Sequence, residues 1–287
     1  MAMFLTPSNG QAFLIDEWAD VMSESARKIE TETGPPAKLW TERFSGMEFI
    51  WVEGGCFKMG SPPHAVGRDS DEEPVHKACV SSFWMGKYEV TQGQWRTIMR
   101  GNPSKFRNVD THPVEKIGIV DAKALAERLS KQHEGHAKFR LPTEAEWEFV
   151  CRERGLRKVY PGSQQLETTS WFKENSLGST QIVGTLAPNS LGFYDMGGNV
   201  WEWVSDSYDR FGYRKHKENN PVNMSQSDSF VIRGGSWREH SSAIRCANRG
   251  FNKFSRKRSD VGVRLVVLIE EQYVEEPVLE DINTIPF

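Results

Sequence analysis

The chain has 287 residues, with 36 Lys and Arg against 39 Asp and Glu, a net charge of −3, 38% hydrophobic residues and ten tryptophans beside six tyrosines. That length buries a sizeable core in one or two domains, and no segment approaches the roughly 20 apolar residues that cross a bilayer. The near-neutral charge balance excludes a general nucleic-acid binder, whose phosphate-facing surface is strongly basic.

Residues 11–32 read as a helix, because Leu14, Trp18, Val21, Met22 and Ile29 recur at helical spacing with acids and serines between them. Gly34-Pro35-Pro36 stops it. The first basic residue is Arg27, and Pro7, Asn9 and Asp16 interrupt the apolar run before it, so no secretory signal is read and a cytoplasmic location is expected. Strands are expected over 49–52 and 57–59, with Gly54-Gly55 between them as a hairpin turn. Thr91 caps a short helix over 91–99, and Ala122, Leu125, Ala126 and Leu129 give 121–132 one apolar face. Thr143 and Glu146 form a capping box for a helix running to about Arg154. Long loops follow, then strands near 229–233, 243–247 and 261–268. The few short helices among strands and loops make the fold class α+β.

The expected division is an N-terminal helical extension (1–46), a main domain (47–269) and an acidic tail (270–287) that contains no Lys or Arg. Cys56, Cys79, Cys151 and Cys246 lie far apart without a CxxC pair, so neither a zinc spacing nor a disulfide framework is read. His133 and His136 read as a solvated helix end, since no third ligand accompanies them.

Several blocks then occur in a telling order. They begin with Phe49-Ile50-Trp51-Val52-Glu53-Gly54-Gly55, Asp71-Glu72-Glu73-Pro74-Val75-His76 and Tyr88-Glu89-Val90-Thr91. Arg140-Leu141-Pro142-Thr143-Glu144-Ala145-Glu146-Trp147 and Gly198-Asn199-Val200-Trp201-Glu202-Trp203 follow. Arg233-Gly234-Gly235-Ser236-Trp237, Arg245-Cys246-Ala247-Asn248-Arg249 and Val261-Gly262-Val263-Arg264 complete the set. Over roughly three quarters of its length the chain resembles the formylglycine-generating-enzyme-like (sulfatase-modifying factor) superfamily. The resemblance implies a C-type-lectin-like α+β fold rich in ordered loops.

Formylglycine-generating members of that family hold copper(I) with a cysteine pair just after the Gly-Gly-Ser block, soft ligands for a soft ion. Here Glu239 stands at the first of those positions and no Cys at the second, so that activity is not expected. By the same resemblance Cys151 and Cys246 match structural cysteines, with the partner of Cys151 falling near Leu265. The H-x-x-x-H-x-E triad of the iron-dependent branch is missing.

What remains is a non-catalytic binding or scaffold module that acts through a protein partner, in the manner of accessory subunits of bacterial signalling or defence (CRISPR-associated) complexes. Its expected surface is 237–260, with Trp237, Arg238, Phe251 and Phe254 as anchors and Lys253, Arg256, Lys257 and Arg258 as a basic stretch. One alternative is an oxidoreductase of the pyoverdine-maturation type acting on a peptide-like metabolite, with Glu239 and His240 as its titratable pair. On a strand those neighbours point to opposite faces, so a shared pocket requires a turn. Another is the ligand-displaying variable protein of a diversity-generating retroelement. The resemblance also implies a calcium site at Asn199, Glu202 and the Val200 carbonyl, hard oxygen ligands from one tight loop. No other cofactor is expected.

Overall fold

Strand alternation places two apolar layers on opposite faces of one sheet. In β2 (Glu48–Val52), Phe49 enters one layer, while Ile50 and Val52 enter the other. β5 (Phe83–Gly86) repeats this with Trp84 against Phe83 and Met85, and β11 (Val266–Ile269) with Val267 against Val266. With β1 (Leu39–Thr41) and β6 (Ala137–Arg140) they form an antiparallel sheet in the order β1-β2-β5-β11-β6. Trp95 and Ile98 of α1 (Gln92–Met99), with Ala122, Leu125 and Leu129 of α2 (Ile119–Gln132), fill the first layer. Ala145, Trp147, Phe149 and Val150 of α3 (Glu144–Cys151) fill the second.

This computed structural model describes residues 38–107 and 109–270. The helix read over 11–32 and the tail beyond Glu270 lie outside the described residues. A second sheet, in the order β10-β7-β8-β9, consists of β7 (Trp201–Ser207), β8 (Ser229–Arg233), β9 (Gly250–Lys253) and β10 (Val261–Gly262). β3 (Gly55–Met59) pairs only with β4 (His76–Val80). No helix among the described residues is long and apolar enough to cross a membrane.

The local capping signals are present in the structure. Thr91 and Thr143 each cap a helix through a complete capping box. α2 starts two residues earlier than its apolar face suggests, because the Asp121 carboxylate takes the Gly118 N–H at 2.8 Å. α3 ends at Cys151 instead of Arg154, since Glu153 and Arg154 turn to φ of 52° and 63°.

Pairing over long range differs from the expectation. Gly54-Gly55 makes no hairpin: β2 goes to β1 and β5, and β3 leaves for another sheet. The chain passes so close to residues 80–82 at this point that a Cβ on Gly54 would strike the Val80 carbonyl oxygen. The main domain also begins before residue 47, because Leu39–Thr41 pair with Glu48–Ile50. Residues 243–247 are no strand; a single 3-10 turn covers Ser241–Ile244 and the strand follows at Gly250–Lys253. His133 is no solvated end: it is 1% exposed and bonded to Glu42 at 2.8 Å, with its ring against Phe44 and Phe139.

The cysteine reading is overturned as well. Cys56 pairs with Cys79 across β3 and β4, and Cys151 with Cys246 in the core, leaving no free thiol. Leu265 was never within reach of Cys151: its side chain lies in the layer under α1 and α2, on the other face of the sheet. The absence of a disulfide framework therefore no longer speaks for the cytoplasm.

Candidate functional site

Three ion pairs, two of them fully buried, shape a surface cleft where the 3-10 turn meets the second sheet. Arg245 grips Glu72 with both terminal nitrogens, at 2.8 and 2.7 Å. Arg249 grips Glu144 at 2.7 and 3.0 Å and lies over the Tyr213 ring at 4.3 Å. Burial alone would raise the Glu144 carboxyl, but Arg249 and Arg233 hold it at about 2. Arg258 takes both oxygens of the buried Asp260, at 2.9 and 2.5 Å. Such forked pairs fix guanidinium planes in place.

Between them opens a cleft of about 440 Å³. Glu239, Phe251, Arg258 and Trp201 line it. Phe251 is 53% exposed and stacks on Tyr208 at 4.4 Å. Gly250 is required beside it, because a Cβ there would press into Trp201 and Ile232.

The turn that would bring Glu239 and His240 together does not do so. Glu239 lines the cleft, 3.7 Å from Arg258. His240 points away; its Nδ1 bonds Glu174 at 2.6 Å and its Nε2 meets Lys173 at 2.9 Å. They are not an acid–base pair.

The expected binding residues separate into two groups. Arg258 is a wall of the cleft, tied to Asp260, and not a free cation. Arg238, Lys253, Phe254, Arg256 and Lys257 are exposed on the rim, where Lys253 lies 3.7 Å from Asp228 and Lys257 2.7 Å from Asp121. Ion pairs this exposed contribute only about 0–1 kcal/mol and exchange readily.

Trp237 is half-buried, with its indole N–H on the Ser259 carbonyl at 3.1 Å, and Phe106 meets it edge-on at 5.4 Å. This contact brings the exposed Lys105 and Arg107 beside the rim, and Lys116 joins through its N–H bond to the Arg258 carbonyl. Sequence reading missed these three. The signal was a cluster, Lys105-Phe106-Arg107, an aromatic between two cations.

The calcium reading does not fit the side chains. Glu202 is bound by Arg264 at 2.7 Å and by the Trp147 indole at 2.7 Å. Asn199 accepts from the Gln181 N–H at 2.9 Å and donates to Glu89 at 2.7 Å. The Val200 N–H bonds Glu89 at 3.0 Å. A cation at Glu202 would displace the guanidinium already there. No three His, Cys, Asp or Glu side chains among the described residues group as a metal cage.

The block is instead a buried charge cluster. Arg264 faces three buried carboxylates, Glu202, Glu89 and Asp195. Burial, then Asp195 and Glu202, push the Glu89 carboxyl well above its ordinary value. Burial raises Asp195 to about 6, against the Gly184 N–H and Arg264, and its Oδ1 has no hydrogen-bond partner.

An acid raised in the folded state stabilises the fold when protonated, so this contribution is lost as pH climbs from about 4 through about 6. Asp195→Asn keeps the acceptor for Gly184 and tolerates the residue's φ of 55°. Its expected effect is a gain of about 2–3 kcal/mol above pH 7, with no difference below pH 4. Thermal melts across that range, in EDTA and in millimolar calcium, check it. A calcium-dependent rise in wild-type Tm that Asp195→Asn abolishes would restore the metal.

Short helices, a five-stranded antiparallel sheet and a smaller second sheet joined by ordered loops define the C-type-lectin-like α+β fold. Treponema denticola variable protein 1 overlays on it with a TM-score of 0.71 at 23% identity, covering 81% of this chain and 99% of that one. PvdO from Pseudomonas aeruginosa overlays with 0.73 at 25% identity, covering 83% and 100%. The sulfatase-modifying factor enzyme 1-like domain model matches residues 37–269, and the chain belongs to that family. It is 30% identical over 207 residues to formylglycine-generating enzyme of Mus musculus, covering 66% of this chain and 52% of that enzyme. It is 29% identical over 266 residues to serine/threonine-protein kinase pkn1 of Chlamydia pneumoniae, covering 83% of this chain and 39% of the kinase. The chain thus spans about two fifths of the length of that relative.

Proposed function

We propose that this chain is a non-catalytic binding module whose rim, from Trp237 to Arg258, docks a protein partner. The observation that carries the reading is an exposed rim of aromatic and basic side chains on a frame of buried ion pairs, with His240 turned out of the cleft that Glu239 lines. With every cysteine in a disulfide, no thiol pair is left for copper(I). Relatives named as serine/threonine kinases, in which the matched domain is a minor part, support a place in a bacterial signalling assembly. Two cystines suit an oxidising compartment, and we place the protein there in preference to the cytoplasm.

Lys253→Glu with Arg256→Glu tests the rim, because neither side chain supports the fold. The expected result is at least tenfold weaker binding to the partner co-purified from the native host, about 1.4 kcal/mol, with Tm unchanged. Unchanged affinity would remove the rim from the interface.

The oxidoreductase reading keeps one supporting observation, the open cleft with Glu239 on its wall beside a fold shared with PvdO. Stoichiometric copper or iron in the purified protein, together with oxygen uptake lost in Glu239→Gln, would favour it over binding.

A further inference from the structure

We propose that the partner docking on the rim presents an acidic segment with an aromatic side chain among its carboxylates, seated around Phe254. The inference rests on the proposed docking function and names the chemistry of what docks. It is carried by the charge balance of the rim and by the aromatic side chains exposed in its middle.

The turn after β9 supplies the centre of the patch. Lys253, Phe254, Arg256 and Lys257 are all exposed on it. The Arg256 N–H bonds the Lys253 carbonyl at 3.0 Å, and the buried Asn252 donates its side-chain amide to the Arg256 carbonyl at 2.9 Å. These two bonds fix the turn. The Phe254 carbonyl comes within 3.2 Å of where a Cβ on Gly118 would stand, and the Lys116 N–H bonds the Arg258 carbonyl at 2.9 Å. Lys105 and Arg107 flank Phe106, which meets Trp237 edge-on, and Arg238 follows Trp237 in the chain. The contacts join these cations into one surface.

With Arg258 of the cleft wall the cations number eight, against five carboxylates in contact with them. Two of the five, Glu115 and Asp260, are buried and already engaged, Glu115 by the Phe106 N–H at 2.8 Å and Asp260 by Arg258 at 2.9 Å. Asp121 holds Lys257 at 2.7 Å, Asp228 lies 3.7 Å from Lys253, and Glu239 lies 3.7 Å from Arg258. Arg256 forms no ion pair among the described residues. The rim thus carries a positive surplus in a chain whose net charge is −3.

Phe251 and Phe254, 53% and 51% exposed, stand beside that surplus. An aromatic side chain laid on Phe254, with carboxylates on either side for Lys253, Arg256 and Lys116, satisfies both features at once. A nucleic-acid duplex would instead set a phosphate about every 1.7 Å along its axis, and Asp121, Asp228 and Glu239 would repel it. The rim fits an acidic protein segment.

The probes that test this are a glutamate-rich peptide with interspersed phenylalanines, its lysine-for-glutamate counterpart and a DNA duplex. Fluorescence anisotropy should show the full chain binding the acidic peptide in preference to both others. That binding should weaken at least tenfold between 0.1 M and 1 M salt, as the screening length falls from about 10 Å to about 3 Å. Zero-length carbodiimide should join the peptide's glutamates to Lys253 or Lys257. Phe254→Ala should weaken binding severalfold and leave its salt dependence in place. Equal or tighter binding of the lysine peptide or of the duplex would overturn the proposal, as would cross-links confined to lysines away from the rim. If the acidic peptide fails while Lys253→Glu with Arg256→Glu still loses the native partner, the acidic chemistry is wrong and docking at the rim stands. If that double variant keeps the native partner, docking at the rim falls with it.

Discussion

Replacing Arg264 by methionine should cost the domain most of its stability. Arg264 is 0% exposed and bonds Glu202 through Nε and Nη2, the Gly86 carbonyl at 3.0 Å and the Tyr194 carbonyl at 2.8 Å. Its removal leaves Glu202, Glu89 and Asp195 buried without a cation. Breaking one partner of a buried pair costs about 3–5 kcal/mol, and each orphaned carbonyl adds about 1–3 kcal/mol. The sum approaches the whole stability of an ordinary domain, about 5–15 kcal/mol. A fall in Tm of at least 10–15 °C, or loss of soluble protein, is the expected result by near-UV circular dichroism. Arg264→Lys keeps the charge without the fork and should lie between the two. Because the deficit comes from ionised carboxylates, the variant should recover part of its stability at pH 4, where Glu89 and Asp195 take up protons. A variant within 2 °C of wild type at pH 7 would show that the cluster is solvated.

Removing the Cys151–Cys246 bridge should have the second largest effect. It closes a separation of 95 residues and sits at 0% exposure among Trp147, Phe149 and Met196. Chain entropy gives a loop of that size roughly 4–5 kcal/mol, against about 3 kcal/mol for the separation of 23 between Cys56 and Cys79. Cys151→Ala with Cys246→Ala is therefore expected to lower Tm by about 10–15 °C, while the Cys56 and Cys79 double variant, at the surface, falls by less. Thiol titration of the denatured, unreduced protein should find none, and four after reduction. Two reactive thiols before reduction would break one of the bridges and weaken the placement in an oxidising compartment.

What the sequence made legible was what neighbouring residues decide. Both capping boxes act across three residues, and the apolar face of α2 repeats within one helix, so Thr91, Thr143 and Leu125 announced themselves. The family blocks carried the fold. Pairings over long range stayed hidden: Gly54 turns the chain aside because of Val80, and Cys151 meets Cys246 only after the second layer closes.

The charge frame was hidden for another reason. Glu and Arg read as surface residues, yet Arg264, Arg233 and Glu202 are buried and pair across gaps of 62 and 85 residues. A signal did exist in Val263-Arg264-Leu265-Val266, Ile232-Arg233-Gly234 and Trp201-Glu202-Trp203, where one charge sits inside an apolar run. Such a charge demands a buried partner. The same frame explains why Asn199 and Glu202 suggested a metal: oxygen ligands and the acceptors of a buried guanidinium are the same atoms.

Photo-cross-linking in the native host tests the docking rim most directly, with a benzophenone side chain at position 254 and, as control, at the comparably exposed Leu39 of β1. Position 254 should give an adduct with one dominant partner protein, while position 39 gives no such partner. Equal partner adducts from both positions, or none from 254, would contradict a binding function at this surface.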